Sequence, residues 1–253
     1  MKNNLIKNWL KRTGLLNIEA PTDDLVVNLK KQFRHEERSF FYGWRRYLVD
    51  SLYCHASPGV IETITRELSI NNQKKKLLNL GGGTGQVSTI FELLGYNVSN
   101  VDIASTKVDK KNSIWDLNHF PYPFLEQSFD IIVGQEIIEH LENPWEFFRQ
   151  ARRMLKPDGL FIISTPNILS TRSRLKFWLT GYFPWFTPDC FEYHINPLPY
   201  WQIELITKQT GFKIQRIMGN GDYFFHQDLK PNWKKVLNKN EEIIISFKIS
   251  TEK

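Results

Sequence analysis

The chain has 253 residues, of which 41% are apolar, enough for a packed core in one large domain or in one domain with an appendage. Its net charge of +6 favours anionic partners such as nucleic acid, phosphorylated sugars or an acidic membrane surface. Two cysteines far apart in sequence argue against a disulfide framework and a zinc finger, and no apolar run reaches the roughly 20 residues of a membrane-spanning helix. We therefore expect a soluble, cytoplasmic protein.

The pattern of apolar residues along the sequence changes near residue 70. Residues 1–70 carry apolar side chains at three- and four-residue spacing, as in "GVIETITRELS", which predicts a helical N-terminal extension. From Lys76 onward, short β-rich runs such as "KLLNL", "FDIIVG" and "GLFIIST" alternate with helical or loop segments. This alternation predicts an α/β domain over 71–253 with a mostly parallel, buried sheet, interrupted by an aromatic insertion at 168–193.

A glycine-rich turn follows the first predicted strand, in "LLNLGGGTG" at 77–85. A strand that ends in such a turn and feeds a helix brings bare backbone and helix N–H groups close to a ligand. Asp102 ends the next strand, where its carboxylate can accept both hydroxyls of a ribose. Together these features predict a nucleoside site. The third glycine of a dinucleotide fingerprint is replaced by Gln86, which weakens a nicotinamide or flavin interpretation.

The run "LLNLGGGTG", "VDI", "WDLN", "FDIIVGQEIIEHLENP" and "LKPDGLFIISTPN" resembles the successive motifs of class I S-adenosylmethionine-dependent methyltransferases. The resemblance implies a Rossmann-like seven-stranded sheet flanked by helices, with the last two strands forming an antiparallel hairpin. It also implies S-adenosylmethionine as cofactor. Its cofactor-binding residues would be Asn79, Gly81, Gly83, Gly85, Asp102, Asp116, Leu117 and Gln135. Among these, Asn79 stands where the family usually has an acid.

A second group combines acids and histidines in "QEIIEHLENP". Glu136, Glu139 and His140 have the i, i+3, i+4 spacing that puts side chains on one face of a helical turn. With His194 they resemble the metal-binding set of small-RNA 2′-O-methyltransferases, and a comparable turn recurs in quinone O-methyltransferases. One hypothesis is a divalent metal site made by these four residues. The other is a general base, His140 or His194, without metal. An ordinary surface pair of Glu139 and His140 is the structural alternative.

The insertion carries its aromatic side chains close behind basic ones. Trp178, Tyr182, Phe183, Trp185 and Phe186 follow a segment that contains Arg172, Arg174 and Lys176. Such a segment suits a lid over an apolar acceptor, peripheral contact with the inner face of an anionic membrane, or plain core packing. Stacking on nucleobases is a further alternative, but a fuller basic stripe would be expected for RNA.

The sequence thus predicts an enzyme that transfers a methyl group from S-adenosylmethionine to oxygen of a small-molecule, saccharide or lipid-linked acceptor. Quinone O-methylation and metal-dependent RNA 2′-O-methylation are the runners-up. Two alternatives belong to other classes: a nicotinamide-dependent oxidoreductase and a catalytically silent adaptor that retains the fold. The remaining histidines, which we expect to be structural or at the surface, are His35, His55, His119 and His226.

Overall fold

The structure is a computed structural model, and it describes residues 58–69, 75–83, 85–103, 112–220, 227–229 and 242–250. Most of the predicted N-terminal extension, including His35 and His55, lies outside the described residues, as does His226. The last helical patch of that extension forms helix α1, Pro58–Ser69. The domain boundary at residue 70 stays a prediction.

The described elements alternate as the sequence predicts. After α1, the helices are α2 (Gln86–Leu93), α3 (Pro144–Met154), α4 (Thr171–Thr180) and α5 (Tyr200–Gln209), with a short 3-10 helix at Ile138–His140. The strands are β1 (Lys76–Leu80), β2 (Asn97–Asp102), β3 (Asn112–Ile114), β4 (Phe129–Gln135), β5 (Leu155–Pro166), β6 (Phe212–Asn220), β7 (Gln227–Leu229) and β8 (Glu242–Ile249).

All eight described strands form one sheet in the order β3-β2-β1-β4-β5-β8-β6-β7. The first five are parallel, whereas β8 runs antiparallel to both β5 and β6. This is the predicted doubly wound, Rossmann-like sheet, and β6 and β8 form the predicted antiparallel pair. The three-residue strand β7 pairs with β6 at the edge and adds one strand to the seven that the sequence indicates. Strand order reverses between β1 and β4, so their carboxyl ends flank the crevice where such sheets bind ligands.

Each face of the sheet buries its own apolar layer because strand side chains alternate between faces. Leu78 and Ile132 point to the face covered by α3 and α5, whereas Leu77 and Ile131 point to the face covered by α1 and α2. Helix α3 begins as its sequence predicts: the Asn143 side chain accepts a hydrogen bond from the Glu146 N–H, and Pro144 takes the first helical position. No helix among the described residues is both long and apolar enough to cross a membrane.

Candidate active site

The glycine turn joins β1 to α2 at the crevice. Gly81, Gly83 and Gly85 have φ angles of 72°, 56° and 92°, which only glycine adopts without strain. A side chain at Gly81 would also overlap Ile137, whereas a Cβ on Gly83 or Gly85 would meet open space. The first of these glycines therefore serves packing, and the other two leave the backbone open on the side where a ligand would lie.

Asp102 ends β2 next to this turn, as predicted. Its Oδ2 atom accepts a hydrogen bond of 2.8 Å from the Gly83 N–H, so the carboxylate and the turn hold each other in place. The backbone carbonyl of Asp102 accepts from the Trp115 N–H, which brings the segment after β3 alongside. In that segment Leu117 is buried, and Asp116 accepts from the Asn118 N–H and pairs with His119. The exposed His119 thus has a surface role, as expected.

In the part of the chain that the structure describes, four buried side-chain polar atoms have no hydrogen-bond partner. They are Asn79 Oδ1, Gln135 Oε1, Glu139 Oε1 and His194 Nδ1. All four belong to residues that the sequence predicts for the site. Because an unsatisfied buried polar atom costs roughly 1–3 kcal/mol, these atoms indicate places where a ligand would supply the missing hydrogen bonds. Asn79 and Gln135 lie near the carboxyl ends of the adjacent strands β1 and β4, on the same face of the sheet.

Glu139, His140 and His194 converge beside this edge. One potential ligand atom from each lies within 4.8 Å of the others. Glu139 is fully buried, and its Oε2 accepts a hydrogen bond of 3.0 Å from Thr165 Oγ1. The two imidazole rings meet edge to face, with centroids 4.6 Å apart. The sequence-predicted convergence of these three residues is therefore present in the structure.

His194 reaches this group through the return of the aromatic insertion. The N–H groups of Ile195 and Asn196 both donate to the carbonyl of Glu139, at 3.1 and 2.9 Å, and the Asn196 side chain donates to the carbonyl of Leu141. Phe186 is buried and its ring lies 5.4 Å from that of His194. These hydrogen bonds fix the chain just after His194 against the 3-10 helix, and Phe186 packs on the His194 ring.

The fourth residue predicted for the metal set, Glu136, lies outside the group, and the single helical turn that the spacing predicts is wrong. The 3-10 helix begins only at Ile138. Residue 136 is held on the sheet instead, because its N–H donates to the carbonyl and hydroxyl of Ser164, with a φ of 46°. Its Oε1 accepts a hydrogen bond of 2.6 Å from Ser164 Oγ.

Burial dominates the electrostatics of the cluster. It raises the pKa of Glu139 to about 8, and it raises the pKa of Glu136 well above its usual range with help from the charges of Glu139 and Glu242. Burial and the neighbouring His140 lower the pKa of His194, which a hydrogen bond with the Trp185 backbone partly offsets. Two imidazoles beside a buried carboxyl group that would gain from a nearby cation form a suitable donor set for a divalent ion.

The amino-acid sequence of this chain is similar to those of known proteins. A family model described as "Methyltransferase domain" matches residues 53–217. The chain belongs to this methyltransferase family. A ubiquinone biosynthesis O-methyltransferase of Rickettsia canadensis is 25% identical over 194 residues, covering 73% of this chain and 79% of the relative.

Solved structures give the same fold. An S-adenosylmethionine-dependent methyltransferase from Archaeoglobus fulgidus superposes with a TM-score of 0.56 at 14% identity, covering 81% of this chain and 100% of that chain. Another, from Mesorhizobium loti, has a TM-score of 0.51 at 15% identity and covers 78% and 99% of the two chains. These structures confirm the predicted fold, and the family match confirms the predicted class, a methyltransferase of the kind that uses S-adenosylmethionine.

The described residues fit that cofactor. Its α-ammonium and ribose hydroxyls are hydrogen-bond donors, and the crevice offers Asn79 Oδ1, Gln135 Oε1 and the Asp102 carboxylate as acceptors. Sequence reasoning missed the polar residues behind these groups, Ser88 and Asn100. Asn100 left a signal, since it occupies the alternate position between Val98 and Asp102 in β2, where a buried face predicts an apolar residue.

Proposed function

We propose that this methyltransferase methylates a hydroxyl oxygen of a small apolar acceptor, beside the group formed by Glu139, His140 and His194. The observation that carries the proposal is the pair of unsatisfied buried atoms, Glu139 Oε1 and His194 Nδ1, within that group. Both lie at the sheet edge that also holds the proposed cofactor residues, so an acceptor placed there would meet the methyl group.

The residues of the group can take up the acceptor's proton. His140 Nδ1 lies 2.8 Å from the carbonyl oxygen of Tyr193, and since a carbonyl only accepts, Nδ1 carries the ring proton. In the neutral ring Nε2 is then the basic nitrogen, and it lies 3.9 Å from Glu139 Oε1. The acceptor O–H proton passes to a base of this kind while the new O–CH₃ bond forms and the S–CH₃ bond breaks, which leaves a neutral thioether.

The metal alternative uses the same three side chains as ligands of a divalent ion, and Nε2 of His140 would then coordinate the ion instead of taking up the proton. A carboxylate and two imidazoles suit several first-row metals, and Tyr193 supplies the carbonyl that orients one imidazole. When bound, such an ion lowers the pKa of a coordinated hydroxyl. Glu136 is left out of the proposed ligand set because its carboxylate is directed to Ser164.

The acceptor class rests on two observations. The Rickettsia relative is named as a ubiquinone biosynthesis O-methyltransferase, so we place the hydroxyl of a quinone-related ring, a phenolic acceptor, ahead of a saccharide. Trp185, whose backbone hydrogen-bonds with His194, lines a cleft together with apolar and polar residues in equal number, which suits an apolar ring that carries polar groups. The apolar residues are Pro166, Ile168, Pro184 and Trp185, and the polar ones are Asn167, Ser170, Arg172 and Ser173.

We also propose peripheral contact of α4 with an anionic membrane. Leu175, Trp178 and Leu179, at i, i+3 and i+4, form a stripe on this helix and are 54%, 79% and 65% exposed. Arg172, Arg174 and Lys176 lie on the same helix. An apolar stripe with basic neighbours is the composition of helices that lie in the membrane interface. This would bring a lipid-soluble phenol to the cleft.

The metal part of the proposal is tested by titrating chelator-treated protein with Mg²⁺, Mn²⁺, Zn²⁺ and Co²⁺ in a calorimeter. Methyl transfer to a catechol-type phenol and to a methyl glycoside is measured in parallel. We expect at least one ion to bind the wild type, and Glu139→Gln to weaken its binding by about a hundredfold, as loss of a charged ligand does.

Glu142→Gln is the matched control because it removes an exposed carboxylate only three residues from Glu139. The backbone N–H of Glu142, which donates to Asn118 Oδ1, is kept in this variant. The variant should bind the ion like the wild type. Full activity of metal-free enzyme would reject the metal site and leave the histidine base, and transfer to the glycoside alone would reject the phenolic acceptor.

A further inference from the structure

A chain of hydrogen bonds runs beneath the glycine turn. Asn79 Nδ2 lies 2.9 Å from Ser88 Oγ, and Ser88 Oγ lies 3.0 Å from Asn100 Oδ1. At the far end, Asn100 Nδ2 lies 3.2 Å from the carbonyl oxygen of Gly83. The three side chains are buried, and they come from β1, α2 and β2, the elements that hold the turn.

The Gly83 carbonyl at one end determines which atom donates and which accepts in each of these hydrogen bonds. The Gly83 carbonyl can only accept, so Asn100 must present its NH₂ group there. Its Oδ1 then faces Ser88, whose hydroxyl donates to it. The oxygen of that hydroxyl accepts from Asn79, so Asn79 also presents its NH₂ group inward. Asn79 Oδ1 is left as the atom that needs a donor, and it is one of the four unsatisfied buried atoms.

We infer that Ser88 and Asn100 are positioning residues that hold Asn79 Oδ1 as a fixed acceptor for the α-ammonium of the cofactor. This inference rests on the cofactor site proposed above. An ammonium group has three donors and no acceptor, which matches an amide oxygen whose orientation is set from behind. Gln135 Oε1, unsatisfied on the same face, supplies a second acceptor near the end of the neighbouring strand. A neutral amide thus takes the place of the acid that the family resemblance implies at this position.

A carboxylate at position 79 would disrupt the hydrogen bond between Ser88 and Asn100. It has no hydrogen to donate, so Ser88 would have to turn its hydroxyl toward residue 79, and Asn100 Oδ1 would lose its donor. There is little room to rearrange, because a Cβ on Gly82 would already lie 2.3 Å from Asn79 Nδ2 and 1.9 Å from Asn100 Oδ1. We therefore expect Asn79→Asp to lower the melting temperature of the cofactor-free protein without tightening cofactor binding.

The test compares two ligands by calorimetric titration. S-adenosylhomocysteine carries the ammonium group, whereas 5′-methylthioadenosine shares its nucleoside but lacks the amino-acid end. We expect Ser88→Ala to weaken S-adenosylhomocysteine about tenfold, as loss of one oriented hydrogen bond to a charge does, and to change 5′-methylthioadenosine less than about twofold. Ser88→Thr keeps a hydroxyl and should restore most of the lost affinity.

Thr89→Ala is the matched control, since it removes the neighbouring hydroxyl on α2. That hydroxyl donates to the Gly85 carbonyl and takes no part in the hydrogen bonds that connect Asn79, Ser88 and Asn100. The variant should leave both ligands within about twofold of the wild type. Equal weakening of both ligands by Ser88→Ala, or of neither, would overturn the inference. So would tighter S-adenosylhomocysteine binding by Asn79→Asp. If the wild type binds neither ligand, the proposed cofactor site itself fails and the inference falls with it.

Discussion

A single carboxylate, that of Asp102, serves two purposes in the crevice. It accepts the Gly83 N–H and so shapes the glycine turn, and in the proposed cofactor site it also accepts the ribose hydroxyls. Asn79 and Gln135 present neutral amides at the same edge. The hydrogen bonds from the ribose to Asp102 would therefore be charge-assisted through the acceptor, whereas a bond from the α-ammonium to Asn79 would be charge-assisted through the donor.

We expect Asp102→Asn to weaken S-adenosylhomocysteine about tenfold to a hundredfold, because the amide keeps one acceptor but loses the charge. The melting temperature should change little, since the amide oxygen can still accept the Gly83 N–H. Calorimetric titration measures the first effect and thermal unfolding the second. Asp130→Asn is the control: it alters a carboxylate near the opposite, amino end of β4 that pairs with Lys156. Unchanged binding by Asp102→Asn would exclude the ribose role.

Which residues the sequence could predict depends on how local their signals are. The three glycines and Asp102 follow from strand ends and spacing, because each is set by the chain segment that carries it. Ser88 and Asn100 act through contacts between α2 and β2, 12 residues apart, and neither stands in a motif. Glu136 was misplaced for a related reason: helical spacing ignores the hydrogen bonds to Ser164, 28 residues away, that hold it on the sheet.

At the scale of elements, α4 and the loop after it have an inner and an outer side. On the inner side Phe186 is buried against His194, whereas Phe177, which is 46% exposed, stacks on Phe183 with ring centroids 4.5 Å apart. On the outer side Trp178 is 79% exposed. Core packing, one of the alternatives that the sequence left open for this insertion, thus applies to Phe186, and the exposed side chains are the ones that we propose to contact a membrane.

Two alanine substitutions, one on each side, should have different effects on stability and on membrane binding. Phe186→Ala should lower the free energy of unfolding by about 3 kcal/mol through the cavity it leaves, and should reduce methyl transfer because His194 loses its support. It should leave binding to anionic phospholipid vesicles unchanged. Trp178→Ala should do the reverse, weakening vesicle binding about tenfold with unfolding unaffected. Cosedimentation with vesicles, urea unfolding and a transfer assay measure the three quantities. Loss of vesicle binding in Phe186→Ala alone would contradict the proposed membrane face.

The whole molecule brings distant segments to one edge of the sheet because parallel strands end on the same side. The glycine turn follows β1, Asp102 ends β2, Gln135 ends β4, and Glu139 and His140 lie just beyond β4. Alternation of strands and helices predicts this arrangement without any contact information. It does not predict how α1 is fixed to the sheet: buried Glu67 pairs with Arg216 on β6 at 2.7 Å and accepts from Ser246 on β8 at 3.1 Å, across 149 and 179 residues.

Arg216→Met tests whether this pair matters for the fold as a whole. It leaves the Glu67 carboxylate buried without its cation, which should cost about 2 kcal/mol of unfolding free energy, less than for a fully buried pair because Arg216 is one-third exposed. Arg149→Met, which breaks a surface pair with Glu146, should cost less than about 1 kcal/mol. The double variant Glu67→Met/Arg216→Met should recover most of the loss, since no charge is then left buried. Urea unfolding measures the free energy of unfolding of all three variants.

Because the pair lies on α1 and β6, away from the strand ends that form the crevice, S-adenosylhomocysteine should bind each folded variant as it binds the wild type. A parallel loss of ligand affinity would mean that α1 also shapes the cofactor site.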